Sequence, residues 1–331
     1  MLRQVDSQLF ARLKPVITAI ALIGFAVPVT SGIAKEYSSV TGQGRSVERG
    51  SRIMVRNEFG DIRIAGSDRN TVEAVATDLN SSRAVPVSIS EGSSGNKRVL
   101  TVSPVESGLG DKQKLNILLE VKVPQYVELE PIHIRLGNIS IVGLDGGLNL
   151  RTDDGNISVN RAGSLGGGLV QATTWSGNVD LSNINGDVRI VSVSSNITVR
   201  CVKGDVAARV SSGQIAVSDI GGDVALNSSS GSVSFIGAIN SESSYRLRTM
   251  SGDVYMDIPD NVGFTAIMAA YSGQIETDFQ FPNLRQTSPI RTNRPVIGRH
   301  GDARARIELD SFSGKVLLRK IDAGSATGCP R

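Results

Sequence analysis

From Gly177 onward, polar and apolar positions recur with a step of nine residues: Gly177-Asn178-Val179, Gly186-Asp187-Val188, Ser195-Asn196-Ile197, Gly204-Asp205-Val206, Gly213-Gln214-Ile215, Gly222-Asp223-Val224 and Gly231-Ser232-Val233. Each unit sets a second apolar residue two positions after the first, as in Val179 and Leu181 or Val188 and Ile190. That spacing puts both side chains on one face of a short strand. Alternate units are more alike than neighbours: Asn178, Asn196, Gln214 and Ser232 form one series, and Asp187, Asp205 and Asp223 the other. The structural period is therefore eighteen residues, two strands and two turns. A coil of that kind cannot bury its apolar row alone, but stacking the next coil on it in register does, with backbone hydrogen bonds running between coils about 4.8 Å apart. The pattern predicts an all-β chain folded as a parallel β-solenoid (a single-stranded β-helix) with coils of about eighteen residues, and columns of Asn or Gln able to exchange amide hydrogen bonds along the stack.

The amide series extends upstream through Gly137-Asn138-Ile139 and Gly155-Asn156-Ile157, with about four extra residues in the glycine-rich stretch 165–169. Downstream, Gly252-Asp253-Val254 and Gly273-Gln274-Ile275 follow at a looser step, and Gly314-Lys315-Val316 is expected to close the array. Residues 40–135 are less regular but still read as strands at 52–55, 61–64, 72–76, 87–90, 99–102 and 115–123, separated by turn clusters such as Glu91-Gly92-Ser93-Ser94-Gly95-Asn96. Because Phe59-Gly60-Asp61-Ile62-Arg63-Ile64 carries the repeat motif itself, this region is expected to be an N-terminal cap continuous with the solenoid. The segment 279–302, with Pro282, Pro289 and Pro295, reads as a long loop inserted in the last coils. The expected organisation is thus a processing segment at 1–34, a β-rich cap at 35–135, the repeat region at 136–320 and a flexible tail at 321–331.

The processing segment rests on Arg3, Arg12 and Lys14, the apolar run 16–29 and the small residues of Ser31-Gly32-Ile33-Ala34, a signal-peptide pattern with cleavage expected after Ala34. The run is shorter than the roughly twenty residues a membrane helix needs, and contains Pro28. Its removal takes away three basic residues and the acidic Asp6, so the formal charge of +3 falls by two. A near-neutral chain with 4% aromatic residues offers neither the electrostatic footprint nor the stacking platform of a nucleic-acid binder. In the oxidising compartment that export implies, Cys201 and Cys329 permit one disulfide. The alternative places Cys201 as a small apolar residue continuing the inward alternation of Ile197 and Val199, with Cys329 a free thiol in the tail.

These residues resemble the β-strand-repeat family of exported bacterial proteins regarded as candidate adhesins. The resemblance runs from about Val47 to Lys320 and lies in the order of its elements: Gly60-Asp61-Ile62-Arg63-Ile64, Val121-Lys122-Val123-Pro124, the repeated Ser-Gly-Asp/Asn-Val units, Ser251-Gly252-Asp253-Val254-Tyr255-Met256-Asp257-Ile258-Pro259, and Ser313-Gly314-Lys315-Val316-Leu317-Leu318. It implies a right-handed, single-stranded β-helix and export, to the periplasm, the cell surface or the medium, and it brings no catalytic residue with it.

Candidate chemistry is sparse. Asp187, Asp205 and Asp223 would stand in a file about 5 Å apart, which suits calcium or simply turns, and the chain lacks the Gly-Gly-x-Gly-x-Asp nonapeptide of calcium β-rolls. A polysaccharide lyase or hydrolase, the enzymatic alternative, needs convergent carboxylates; Asp153 and Asp154 are adjacent and would face opposite ways. No cofactor or metal site is expected. From Phe281 to Arg331 ten basic residues meet four acidic ones, and Arg285, Arg291, Arg294 and Arg299 make the inserted loop a candidate binding element for an anionic polysaccharide or membrane surface. Trp175, the only tryptophan, is either a contact for a sugar or partner or a filler of the core or its rim. The leading expectation is a non-catalytic exported scaffold that binds a protein or glycan partner of the cell envelope or of a surface.

Overall fold

Short apolar alternations broken by glycine give 28 strands and no helix among the described residues. The computed structural model describes residues 42–94, 97–105, 116–163, 167–282, 289–292, 294–322 and 329. From Ile139 each coil lays one strand in each of two sheets, of 14 and 10 strands. Pairing between coils is parallel and in register. In the first sheet Ile139, Ile157, Val179, Ile197, Ile215, Val233 and Val254 form one buried column. In the second, Leu150, Ala172, Ile190, Ala208, Leu226 and Leu247 form another. One coil thus buries five aliphatic side chains, for example Val188, Ile190, Ile197, Val199 and Val202, each worth about 1.5–3 kcal/mol of transfer free energy when fully covered. The expected parallel β-solenoid is borne out.

The turns are held by their own ladders. In one, the backbone N–H of each coil donates to the side-chain oxygen of the coil before it: Asn138 to Asp61 (2.9 Å), Asn156 to Asn138 (2.9 Å), Asn178 to Asn156 (2.7 Å), Asn196 to Asn178 (3.3 Å) and Gln214 to Asn196 (3.2 Å). In the other, Asp205 N–H donates to Asp187 (2.9 Å), Asp223 N–H to Asp205 (2.8 Å) and Ser244 N–H to Asp223 (2.9 Å). Each carboxylate thereby satisfies a backbone donor that the turn would otherwise leave open. The glycines beside the amide ladder are steric necessities. At Gly213, φ is +132° and an added Cβ would sit 1.9 Å from the Ser195 carbonyl oxygen.

A third regular position was not anticipated. Arg161, Asn183, Cys201 and Asp219, at successive coils, take left-handed φ values of 56–63°. The backbone there turns two consecutive side chains outward, so that Ala162, Ile184, Val202 and Ile220 fill the inward place. Cys201 therefore does not continue the alternation of Ile197 and Val199. Val202 does, and Cys201 faces outward, half-buried.

Both ends of the stack carry antiparallel strands. The six strands expected before residue 124 are present, and the coil of Ile62–Ser67 stacks directly on Ile139–Leu144, with Ile117–Pro124 beyond it and Thr71–Asp78 antiparallel on that. Lys97–Pro104 bears the antiparallel strand Val87–Ser94. At the other end the order departs from the expectation. The final strands Ala305–Ser311 and Val316–Ile321 insert beneath Ser244–Ser251 and Val254–Pro259, leaving Ile275–Thr277 at the end of the first sheet and Phe264–Ala270 next to last in the second. Gly314-Lys315-Val316 is thus the penultimate unit, and Gly273-Gln274-Ile275 closes the stack. Stacking rewards register rather than chain order, and the intervening segment is long enough to bring the chain back. That segment is not all loop: Val296–His300 pairs antiparallel with Phe264–Met268, and Phe279, Phe281 and Ile290 are buried. Phe264 and Phe279 meet edge to face at 5.0 Å and close the apolar end of the coil.

A candidate binding face on the second sheet

Outward residues of the second sheet also stack in columns. One runs Gln171, Arg189, Ala207, Ala225, Arg246, Glu308; the next runs Thr173, Val191, Arg209, Asn227, Arg248, Asp310. Where two methyl groups follow Arg189, the surface drops. The result is a groove of about 470 Å³ over Ala207 and Ala225, walled by Arg189, Arg209, Arg246 and Arg248. A hollow of about 370 Å³ continues it to the carboxylates of Asp187, Asp205 and Asp223. In the other direction Asn227 and Arg248 lead to a hollow of about 260 Å³ beside Met250, Tyr271 and Phe312. The last two rings lie 6.0 Å apart and are exposed.

The four arginines are not equivalent. Arg246 Nε donates to Glu308 Oε2 at 2.8 Å, Arg248 Nη2 to the same oxygen at 3.1 Å, and Arg306 Nε to Oε1 at 2.8 Å. Glu308 is 12% exposed, and the guanidiniums of Arg246 and then Arg306 hold its carboxyl down to about 2 although burial opposes them. Burial pushes the neighbouring Asp310 the other way, above the usual carboxylate range. Arg189 and Arg209 are exposed and, among the described residues, have no hydrogen-bond or ion-pair partner. Positive charge engaged in no ion pair therefore lies on one side of the groove, and positive charge oriented by a buried carboxylate on the other.

The residues singled out from sequence are dispersed. Arg285 lies outside the described residues. Arg291 Nη2 donates to Gln274 Oε1 at 3.3 Å, and the Arg294 backbone N–H bonds Thr292 Oγ1 at 3.1 Å. Arg299 stands on the last strand of the second sheet opposite Thr265, whose other neighbour is Arg306, so it shares a face with the groove. Trp175 is 67% exposed and fills no core; it borders a hollow of about 280 Å³ with Arg135, Leu136 and Asp153. Asp153 accepts from His133 Nε2 at 3.4 Å. Cys201 and Cys329 are joined as a disulfide with Cα atoms 5.5 Å apart. Asp219 lies beside them, but bridged sulfurs offer no thiolate, so the trio is not a metal-ligand set. No helix among the described residues is long and apolar enough to cross a membrane.

Sequence reasoning missed Arg189, Arg209, Arg246, Arg248 and Glu308. The signal lies in the eighteen-residue register, which stacks Arg189, Ala207 and Ala225.

Among solved structures the chain is similar to a candidate cell adhesion protein of Clostridium sporogenes, at 9% identity, over 84% of this chain and 98% of that one, with a TM-score of 0.21. It is similar to a candidate adhesin of Bacteroides fragilis at 13% identity, 88% and 100% coverage and a TM-score of 0.31. It also resembles a candidate lipid-binding protein of Parabacteroides distasonis at 13% identity, 85% and 96% coverage and a TM-score of 0.28. No functionally curated protein matches it. The model of the Toastrack DUF4097 family matches residues 50–319, nearly all of the stacked coils described above, and the chain belongs to that family.

Proposed function

We propose that the chain is an exported, non-catalytic β-solenoid scaffold whose second sheet binds a partner of the cell envelope or of a surface, with residues 1–34 as its signal peptide. The observation that carries this reading is the groove over Ala207 and Ala225, where Arg189 and Arg209 keep guanidiniums free of ion pairs on a capped stack. Paired strands hold the backbone positions at fixed spacing, so binding costs ordering entropy for the side chains but not for the backbone. The carboxylates that border the groove already accept backbone hydrogen bonds along their ladder, which favours a structural task for them over acid–base work. Arg291, Arg294 and Arg299 are a second proposed contact.

The test is a binding screen of the purified protein on glycan and envelope-fraction arrays, beside R189S/R209S and R291S/R294S/R299S. Loss of captured partners in R189S/R209S supports the groove, and loss only in the triple variant moves the contact to the inserted segment. A folded protein that captures nothing, or captures equally in both variants, overturns the reading.

A further inference from the structure

Resting on that reading, the chemistry of the groove also narrows the ligand. Outward positions on central strands usually carry bulky or β-branched side chains, yet here two adjacent coils present alanine between arginines. Arg189 and Arg246, three coil steps apart, stand about 14 Å from each other across the floor, so the groove admits one extended chain lying along the strands. Arg209 is the diagonal neighbour of Arg189 on the next coil, with Cβ atoms about 8 Å apart, close enough for both long side chains to reach one anion. Guanidinium forks match carboxylate and phosphate oxygens in geometry as well as charge.

The surroundings discriminate among anionic partners. A β-adding peptide needs unpaired backbone at a sheet edge, whereas every strand under this groove is paired on both sides. An amphipathic helix needs a continuous apolar groove several turns long, and the apolar side chains exposed here are only the two alanine methyl groups and Val191, beside the Asn227 amide. A hydroxyl-rich chain fits what remains. Its hydroxyls can meet the Asn227 amide and the second carboxylate oxygens of Asp187, Asp205 and Asp223, and its rings can lie against Tyr271 and Phe312 at the far end.

We propose that this groove binds an extended acidic glycan, one acidic group of which is gripped between Arg189 and Arg209. Titration calorimetry of the purified protein with a galacturonic acid hexamer, its methyl ester and a phosphodiester-bearing mannan tests it. Wild type is expected to bind an acidic glycan, weakening as salt is added, and to ignore the ester. R189Q/R209Q, which breaks no hydrogen bond or ion pair among the described residues, is expected to bind at least about tenfold more weakly. A225Y fills the floor with a strand-favouring side chain, leaves all four arginines in place, and is expected to abolish binding. Which polymer binds more tightly distinguishes a carboxylate source from a phosphate one. Equal binding of acid and ester, unchanged affinity in R189Q/R209Q, or binding of neither acidic polymer overturns the ligand class. In that event, envelope components captured by wild type but not by A225Y leave the binding face standing, whereas capture unaffected by A225Y removes the face as well.

Discussion

Replacing Glu308 by Gln is the sharpest test of the electrostatics on the second sheet. One carboxylate, 12% exposed, faces Arg246, Arg248 and Arg306 at 2.8–3.1 Å. Its pKa falls from 4.5 to about 2 on folding. At 1.36 kcal/mol per unit, that preference for the charged form is worth about 3 kcal/mol. The three guanidiniums are themselves about half in water, so screening reduces the figure to about 2 kcal/mol. Glutamine keeps the shape but loses the charge and turns an N–H₂ toward donors. E308Q should therefore unfold at lower urea than wild type at pH 7, by the equivalent of about 2 kcal/mol. A depressed carboxylate pKa stabilises the fold fully above the unfolded value, here 4.5, and that contribution drains away as pH falls through about 2. The gap between the two proteins should thus be complete at pH 7, shrink below pH 4.5 and close near pH 2. Far-UV circular dichroism across urea gradients at those three pH values reads it, with midpoints compared directly because stacked repeats need not unfold in one step. Equal midpoints at pH 7, or a gap that persists undiminished at pH 2, refutes the reasoning.

Two further predictions address the scaffold. G213A places a Cβ against the Ser195 carbonyl at a φ of +132°, so thermal melts should show a loss of about 3 kcal/mol or more. A G213A midpoint equal to that of wild type would remove steric necessity as the reason for the glycine column. The disulfide closes 128 residues, for which loop-closure entropy gives up to about 5 kcal/mol; C201S/C329S should melt lower by a shift corresponding to about 2–5 kcal/mol, and reductant should move wild type to the same place. Insensitivity of wild type to reductant would contradict it.

What the sequence disclosed follows from what repetition constrains. The inward columns through Ile197 and Val199 and the ladders through Asn156 and Asp205 are the same problem solved at every coil, so they leave a period that can be read directly. The same rule placed Gly60-Asp61-Ile62 in the stack despite 77 residues separating Asp61 from Asn138. Strict alternation failed at Cys201 because a left-handed residue one place before the end of the strand shifts the inward place by one, and nothing in a two-residue period signals that. Coil order failed at Gly314 because register, not sequence order, is what backbone pairing rewards: Val254 N–H donates to Lys315 O at 2.8 Å, and Val316 N–H to Gln274 O at 3.0 Å.

The proposed binding face was hidden for a related reason. Core and turn positions must repeat, because a coil that departs from them loses contacts to both neighbours. Outward strand positions carry no such obligation: Arg189, Ala207, Ala225 and Arg246 share one column and no common chemistry. In a solenoid, then, periodicity identifies the scaffold, and a specific site is most visible as a local break in an outward column. The inserted segment drew attention through its arginine count, but its described arginines are spread between the two sheets. Stacking instead brings Arg189 and Arg246, 57 residues apart in sequence, to opposite walls of one groove, so charge density along the chain is a poor guide here and charge placed in the coil register is the better one.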